Sequence, residues 1–495
     1  MPTTSAPYFA FLILVFFGYW LLADRHNWRI VFLAVASCFF YSHAGPTALM
    51  LLLAVSTIDF TTSRLMVRST AFRRGFVAFS NPGRSRKTLL LISLATDVGA
   101  LCVFKYANFF LDSAGSILSA AGLAAPAGHL KLLAPIGMSF FIFQSMAYVI
   151  DVYRKDSEPA ATYLEYLSFI SFFPTIIAGP ILRAKQLLPQ LKARVSIDSQ
   201  TGGQALFLIA IGLLKKIAIA DFLSANLVDR VFDFPERFSS VEVLAAVYGY
   251  ALQIYADFSG YSDIAIGSAL LLGLTLPANF NSPYRSRNLP EFWRRWHISL
   301  STWLRDYVFF PIAGKRLRSR TMLYLGLVIT MLIGGLWHGA SWTFVVWGAL
   351  HGLALVTVRC FESLRPAFKR GIRRDESGTG ENRKFRSKAI GTFITFHFVC
   401  LTWIFFRAET IGQAVAVLKQ IFSLTLDLAN LTLPVVMVIA LGFLAHWTPD
   451  RIWDVARSGF TRLPAPIQAV VLISLGVGLY AIASSDVAPF IYTRF

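Results

Sequence analysis

The sequence has few charged residues for its length, and few of those are acidic. Only 15% of the 495 residues are charged, 56% are hydrophobic, and the mean hydropathy is +0.58. This composition excludes an ordinary soluble domain. Repeated apolar runs of about 17–25 residues indicate a protein that crosses a membrane several times. The runs do not alternate in polarity as barrel strands would, and backbone groups in hydrocarbon must be satisfied internally, so the crossings are predicted to be helices.

Cysteine is scarce as well. The four cysteines, Cys38, Cys102, Cys360 and Cys400, are scattered through or beside apolar segments. Their spacing suits neither a disulfide framework nor a zinc site, and no local set of histidines and carboxylates completes a metal site. We therefore expect no metal and no bound cofactor. The first apolar run has no basic segment before it and no cleavage pattern after it, so we expect a retained span.

Acidic residues are outnumbered by basic ones, 27 to 46, which gives a net charge of +19. The basic clusters follow apolar spans, which is typical of cytoplasmic loops in a membrane protein rather than of nucleic-acid binding. We therefore assign the basic segment 64–87 and the charged segment 359–388 to the cytoplasm. The expected partner is the lipid bilayer, and no nucleic acid is expected.

The predicted fold is all-α and polytopic, a single membrane domain over residues 1–495 with about twelve crossings. One apolar stretch, Leu164–Ile181, contains Pro174, Gly179 and Pro180 and has basic or mixed residues at both ends. We expect it to be re-entrant rather than a straight crossing. Broken backbone at membrane depth is tolerated only where protein buries it or it lines a cavity.

The segment 282–320 is the most polar part of the middle of the chain. Its large apolar side chains recur at intervals of three and four, at Phe292, Trp296, Leu300, Trp303 and Tyr307. This spacing predicts an amphipathic helix in the membrane interface, with an aromatic and a basic face. Such a helix could anchor to anionic lipid. It could also hold a phosphorylated donor, because arginine grips phosphate bidentately.

The span pair 321–358 contains the segment Gly334–Gly352, in which two histidines lie among tryptophans and glycines. A histidine at membrane depth is costly to keep and is a functional-site hypothesis by default. His338 is predicted to lie at the junction between the two spans, whereas His351 is expected to pack or hydrogen-bond between helices. His338 is therefore the candidate catalytic residue.

Two other apolar elements carry polar side chains. The element Val241–Leu274 is expected to be interrupted by a polar stretch with Asp257, Tyr261, Ser262 and Asp263. These residues could line a site or could join helices by hydrogen bonds. Lys215 and Lys216, in a preceding span, are expected to extend to the cytoplasmic interface, with binding of an anionic donor as the alternative.

Three functions fit this distribution of polar residues. An acyltransferase needs a buried histidine as general base, a transporter places ionisable groups at mid-membrane, and a scaffold of a polysaccharide secretion complex needs neither. The two halves of the chain lack matching broken segments, which disfavours a transporter, and a scaffold has no need of His338.

Several motifs together resemble one family, the membrane-bound O-acyltransferases, in the bacterial branch typified by alginate O-acetylase. They extend in order over nearly the whole chain: APIGMSFFIFQSMAYVIDVYR (134–154), FFPTIIAGPILR (172–183), DFSGYSDIAIG (257–267), FWRRWHISLSTWLRDYVFFP (292–311), GGLWHGASWTFVVWGALHG (334–352), LTWIFFRAE (401–409) and APFIY (488–492). The resemblance implies a ring of helices that joins a cytoplasmic donor pocket to an acceptor on the other side.

The resemblance also implies roles for individual residues. The catalytic histidine of the family's Trp-His-Gly motif corresponds to His338, and the histidine of its Arg-Trp-His-Ile-Ser motif corresponds to His297, with a supporting role on the donor side. The residues expected to contact substrate are Arg294, Arg295 and Trp296 at the donor entrance, Trp337 beside the catalytic histidine, and Asp257, Tyr261, Ser262 and Asp263 along the cavity.

The function expected from the resemblance is acyl transfer, with acetyl as the group and acetyl-CoA or another acyl thioester as the donor substrate. The acceptor is a hydroxyl, either a serine of a periplasmic partner acyltransferase or the polysaccharide itself, within a polysaccharide biosynthesis complex. The expected location is the bacterial inner membrane.

Overall fold

The computed structural model describes residues 2–71, 82–124, 130, 134–314, 319–371 and 380–482. Within these ranges the regular structure is entirely helical. The chain forms two compact units, Met1–Ala210 with Tyr261–Pro277, and Ile211–Gly260 with Ala278–Phe495. The all-helical class predicted from the sequence is confirmed.

The first unit is built on helix α3, which packs against α2, α4, α6 and α7. Its helices are α1 (Ala6–Leu21), α2 (His26–Ser42), α3 (Pro46–Ala71), α4 (Pro82–Leu101), a π-helical segment (Cys102–Tyr106), α5 (Ala107–Ala120), α6 (Met138–Arg154), α7 (Tyr163–Ile170), α8 (Ala184–Lys192) and most of α9 (Ser199–Leu214). A polar cluster lies inside this unit. Buried Asp59 accepts hydrogen bonds from Ser93 and Ser145, and the Ser145 hydroxyl lies 2.7 Å from that of Tyr166.

The second unit contains the remaining helices. They are two π-helical segments (Lys215–Asp221 and Ser224–Val228), α10 (Asp229–Asp233), α11 (Ser240–Leu271, whose last residues belong to the first unit), α12 (Leu289–Arg295), α13 (Ile298–Leu304), a π-helical segment (Arg305–Phe309), α14 (Phe310–Ala313), α15 (Arg320–His338), α16 (Trp342–Gly371), α17 (Gly380–Arg407), α18 (Ile411–Ile421), α19 (Leu433–Trp447), α20 (Asp450–Arg462) and α21 (Ala465–Ile482). Helices α15, α16 and α17 pack in sequence, and they carry the candidate site.

Six helical segments of the described chain are long and apolar enough to cross a membrane. They are Pro46–Arg68, Ser85–Ala120, Arg320–His338, Trp342–Ser363, Lys388–Arg407 and Ala465–Ile482. A seventh is possible if α19 and α20, which meet at 93°, form one broken span. About twelve crossings were expected from the apolar runs of the sequence. Helices such as α1 and α2 are shorter, at 16 and 17 residues, and others are interrupted by π-helical turns.

The predicted re-entrant stretch Leu164–Ile181 is a short helix followed by irregular backbone. Helix α7 ends at Ile170, and the next regular element is α8. The irregular part is buried, with Phe172, Phe173 and Ala178 all at 0% exposure. Burial within protein is the condition under which broken backbone is tolerated in a membrane.

Two local predictions were wrong. The segment 282–320 is not one helix, because α12 ends at Arg295 and α13 begins at Ile298. Between them His297 has a left-handed backbone (φ 40°, ψ 57°), which no helix continues through. The polar stretch of the element Val241–Leu274, in contrast, does not interrupt it. Helix α11 runs unbroken for 32 residues through Asp257.

Parts of four expectations lie outside the described residues. These are positions 72–81 of the basic segment 64–87, positions 315–318 of the segment 282–320, positions 372–379 of the charged segment 359–388, and the motif at 488–492.

Candidate active site

A seam of glycines joins α15 to α16. A Cβ at Gly335 would lie 2.3 Å from the carbonyl oxygen of Phe344, and one at Gly348 would lie 2.5 Å from that of Met331. No side chain fits at such distances, so the glycine-rich motif exists to let two backbones touch. This contact fixes the turn between the helices, and His338 is the last residue of α15 at that turn.

His338 lies in a cage of aromatic rings. It is 4% exposed, and its imidazole lies 5.0 Å from the ring of Trp337, 4.9 Å from Phe406, 5.2 Å from Trp347 and 6.3 Å from Phe344. Three of these contacts are edge-to-face, the arrangement aromatic rings prefer. The cage is contributed by α15, α16 and α17, so all three helices orient the ring.

His297 is held by a different set of polar contacts. The side-chain oxygen of Asn279 accepts hydrogen bonds from the backbone N–H and hydroxyl of Ser299, and it lies 3.2 Å from Nδ1 of His297. Because that oxygen can only accept, His297 donates from Nδ1, and Nε2 is its basic nitrogen. Complete burial lowers the pKa of His297 to about 3, so the ring is neutral at pH 7.

A series of ring contacts connects Phe258 of α11, His297 after α12 and the end of α15. The ring of Phe258, next to Asp257, lies 4.5 Å from His297. His297 in turn lies 5.7 Å from Trp337, which neighbours His338. Both histidines thus lie close to the Trp337 indole. Apart from the motifs themselves, no spacing in the sequence predicts contact between residues 41 positions apart.

His351 has the supporting position expected for it. Its Nε2 lies 3.0 Å from the hydroxyl of Thr402, which donates to the carbonyl oxygen of Val399, so His351 donates and α16 is bonded to α17. Its Nδ1 is buried and lacks a hydrogen-bond partner within the described chain, as do the indole nitrogens of Trp293 and Trp347. The rings of these three residues lie 4.8–5.7 Å apart.

A buried ion network lies on α11 and the π-helical segment before it. Lys216 Nζ lies 2.7 Å from Asp221 and 2.8 Å from Asp257, and the three residues are 5%, 7% and 3% exposed. The expectation that Lys216 extends to the interface was therefore wrong, because two carboxylates hold it inside. Lysines and aspartates in neighbouring apolar runs were the available sequence signal, since buried charges are kept only when paired.

The three residues expected at the donor entrance lie in different environments. Arg294 is exposed. Arg295 is held by Glu291 at 3.0 Å and by the carbonyl oxygen of Asn281. Trp296 is 1% exposed in the core, with its ring 5.0 Å from that of Trp403. Only Arg294 therefore has a side chain open to a soluble ligand.

The other predicted residues of α11 follow Asp257 by one turn or more. Tyr261 and Ser262 are buried and Asp263 is half-buried. All three belong to the first unit, whereas Asp257 belongs to the second. Their role in shaping a cavity stays a prediction.

Comparison with known proteins supports the motif resemblance. The sequence matches the membrane-bound O-acyltransferase family over residues 130–374. It is 34% identical over 451 residues to the peptidoglycan O-acetyltransferase of Helicobacter pylori, covering 84% of this chain and 78% of that protein. It is 37% identical over 438 residues to the probable alginate O-acetylase AlgI of Pseudomonas aeruginosa, covering 86% and 77%. The corresponding protein of Pseudomonas putida is 33% identical over 99% of both chains.

The expectation drawn from the motifs is confirmed by matches that extend through the candidate site. The multiple membrane-spanning helices agree with it. This chain therefore belongs to the membrane-bound O-acyltransferase family and is a multi-pass membrane O-acyltransferase.

Proposed function

We propose that the chain transfers an acetyl group from a cytoplasmic thioester, acetyl-CoA, to a hydroxyl on the opposite side of the bacterial inner membrane. The relatives described above are named as a peptidoglycan O-acetyltransferase and as probable alginate O-acetylases. The basic segments that flank the spans support a cytoplasmic donor side. A helical protein that crosses the membrane can expose one site to donor and acceptor on opposite faces.

The observation that carries this proposal is the enclosure of His338 among aromatic rings. An apolar cage around the imidazole keeps a competing nucleophile, water, away from the thioester. One of the imidazole nitrogens accepts the proton of the acceptor hydroxyl. The hydroxyl oxygen attacks the thioester carbonyl carbon, the C–S bond breaks, and the departing thiolate takes the proton from the imidazolium. The products are an ester and free CoA.

His297 is proposed to support the donor side rather than to act as a second base. The Nε2 of His297 can accept a hydrogen bond from an amide of the donor arm, while Asn279 fixes the ring. Trp337, whose ring lies 5.7 Å from His297 and 5.0 Å from His338, is the surface against which the donor arm would pack.

The basic residues before α13 are proposed to hold the donor phosphates. Arg294 is the exposed one and can bind phosphate directly, whereas Arg295 and Trp296 shape the backbone that presents it. Asp257 holds Lys216 by an ion pair, and Asp257, Tyr261, Ser262 and Asp263 are proposed to line the passage along α11.

The acceptor is proposed to be a hydroxyl delivered outside the cytoplasm, on a serine of a partner acyltransferase or on the polymer. Both arrangements use the same attack on the thioester. They differ in whether the acyl group is found first on a protein of the polysaccharide biosynthesis complex.

The test is single-turnover release of free CoA from acetyl-CoA by the protein in proteoliposomes that also contain the acceptor, either the polymer or the partner acyltransferase. Loss of a general base lowers the rate by about 10²–10⁴-fold, and we expect that loss for His338→Ala. His43→Ala, which removes a histidine of the first unit that lies outside the family motifs, should release CoA at the unaltered rate. Normal release by folded His338→Ala would overturn the catalytic assignment. Substrate movement without CoA release would indicate a transporter instead.

A further inference from the structure

A cavity of about 610 Å³ lies in the second unit between α17 and the end of α19. Its wall is aromatic, formed by Tyr248, Phe393, Phe396, Phe443 and Trp447. Three basic residues also line it, Arg285, Arg287 and Lys388. None of these side chains belongs to the cage of His338 or to the Lys216 network. The cavity is large enough for a ligand but has no role in the proposed reaction.

The charge of the cavity is unbalanced. Arg285 lies at the bend between α19 and α20. It forms an ion pair with Asp450 at 3.2 Å and donates hydrogen bonds to the carbonyl oxygens of His446 and Thr448. Arg287 and Lys388 are exposed, and neither forms an ion pair with any residue that the structure describes. Two positive charges at one end of an aromatic wall complement a ligand with an anionic head and an apolar tail.

The position of the cavity favours a lipid over a soluble anion. Lys388 begins a membrane-spanning segment and Trp447 ends α19, so both mark the boundary of the apolar layer. Helix α20 leaves α19 at 93° with Ile452, Trp453 and Val455 exposed, as expected of a helix lying in the interface. The cavity therefore opens at the depth of lipid headgroups. The charged segment 359–388, at the start of this span, assigns that face to the cytoplasm.

We propose that this cavity binds one anionic glycerophospholipid of the cytoplasmic leaflet. Its phosphate contacts Arg287 and Lys388, and an acyl chain packs along Phe393, Phe396 and Phe443. The site lies where α17 packs tightly on the Arg287 backbone, since a Cβ at Gly391 would lie 2.6 Å from that carbonyl oxygen. The lipid thus braces the helix that also carries Thr402 and Phe406.

The test measures lipid binding to the purified full chain in phosphatidylcholine nanodiscs with added phosphatidylglycerol, by native mass spectrometry. A basic residue near a membrane surface contributes roughly fivefold to binding of an anionic lipid, so Arg287→Gln with Lys388→Gln should weaken retention about 30-fold. Arg451→Gln removes an exposed arginine of α20 outside the cavity and should retain lipid normally. Thr392→Trp fills the cavity, keeps both charges, and should also expel the lipid.

Two results would overturn the proposal. One is equal retention of phosphatidylglycerol by the double variant and by Arg451→Gln. The other is competition by sn-glycerol 3-phosphate, which has the charged head but no chains, as strongly as by a short-chain phosphatidylglycerol. That second result would assign the cavity to a soluble phosphate compound. Because CoA release is not the readout, failure here leaves the assignment of His338 unaffected.

Discussion

The buried ion network around Lys216 offers the sharpest test of the interior of this protein. One ammonium group lies within 2.8 Å of two carboxylates, those of Asp221 and Asp257, and none of the three residues is more than 7% exposed. Two anions share one cation, so Lys216→Met removes this ion pair from both carboxylates. Lys215 is a matched control on the same turn, because its ammonium lies 5.8 Å from the ring of Tyr255 instead.

The size of the effect follows from the cost of a buried unpaired charge. Removing one partner of a buried ion pair typically costs about 3–5 kcal/mol in the free energy of unfolding. Lys216→Met should fall at the upper end of this range, since it affects two carboxylates. Lys215→Met should cost less, about 1–2 kcal/mol, the scale of a partly desolvated cation–π contact. The triple change Lys216→Met, Asp221→Leu and Asp257→Leu removes every charge and should recover most of the loss.

The assay is equilibrium unfolding of the purified protein in mixed micelles, followed by tryptophan fluorescence. The reasoning is refuted if Lys216→Met and Lys215→Met unfold at the same denaturant concentration. It is also refuted if the triple variant is as unstable as Lys216→Met alone, because the loss would then come from packing rather than from uncompensated charge. CoA release by the triple variant separates stability from function. If Asp257 only holds Lys216, the refolded triple variant should still turn over acetyl-CoA.

Three further predictions concern the neighbouring parts of the site. Gly348→Ala should prevent α15 and α16 from packing, because a Cβ there would lie 2.5 Å from the Met331 carbonyl oxygen. Gly478→Ala is the control, since no atom lies near that Cβ, and it should leave expression and CoA release unchanged. The pKa of His297 is about 3 in the folded state and about 6.5 in the unfolded state, so its contribution to stability is complete above pH 6.5 and is lost as pH falls toward 3. At pH 5.5 the free energy of unfolding should be about 1 kcal/mol lower than at neutral pH, and His297→Gln should remove this part of the pH dependence. Thr402→Val should lower the free energy of unfolding by about 1–3 kcal/mol, because it leaves the buried Nε2–H of His351 without an acceptor. The folded fraction should still release CoA, and a loss of release larger than the loss of folded protein would contradict a purely supporting role.

The sequence predicted the class of fold and the family because both depend on local properties. Apolar runs report membrane helices directly, and the motif around His338 carries its glycines and tryptophans within 19 consecutive residues. The glycines proved to be a seam between two helices, a role the motif itself does not reveal. Hydropathy predicted about twelve crossings, and in the described chain six helical segments, or seven with the bent pair, are long and apolar enough to cross a membrane.

The wrong predictions for the segment 282–320 and for Lys216 have the same physical cause, namely contacts between residues distant in sequence. The interval pattern across 282–320 favours one helix, but Asn279 accepts from Ser299 and His297 and thereby selects a left-handed residue between two helices. Lys216 seemed suited to the interface because its two carboxylate partners lie 5 and 41 residues away. In both cases a tertiary hydrogen bond or ion pair outweighed the local preference.

The cage around His338 has a consequence for how the enzyme can be perturbed. Its rings come from α15, α16 and α17, and the glycine seam and the His351–Thr402 bond tie those helices together. A histidine held by three helices is preorganised for the proposed role of general base, so binding of substrate need not reorient it. The same rigidity means that a change along α17, far from the thioester, shifts Phe406 and with it one wall of the cage. The proposed lipid, bound at the beginning of α17, should therefore affect the rate of transfer through the position of Phe406 rather than through contact with either substrate.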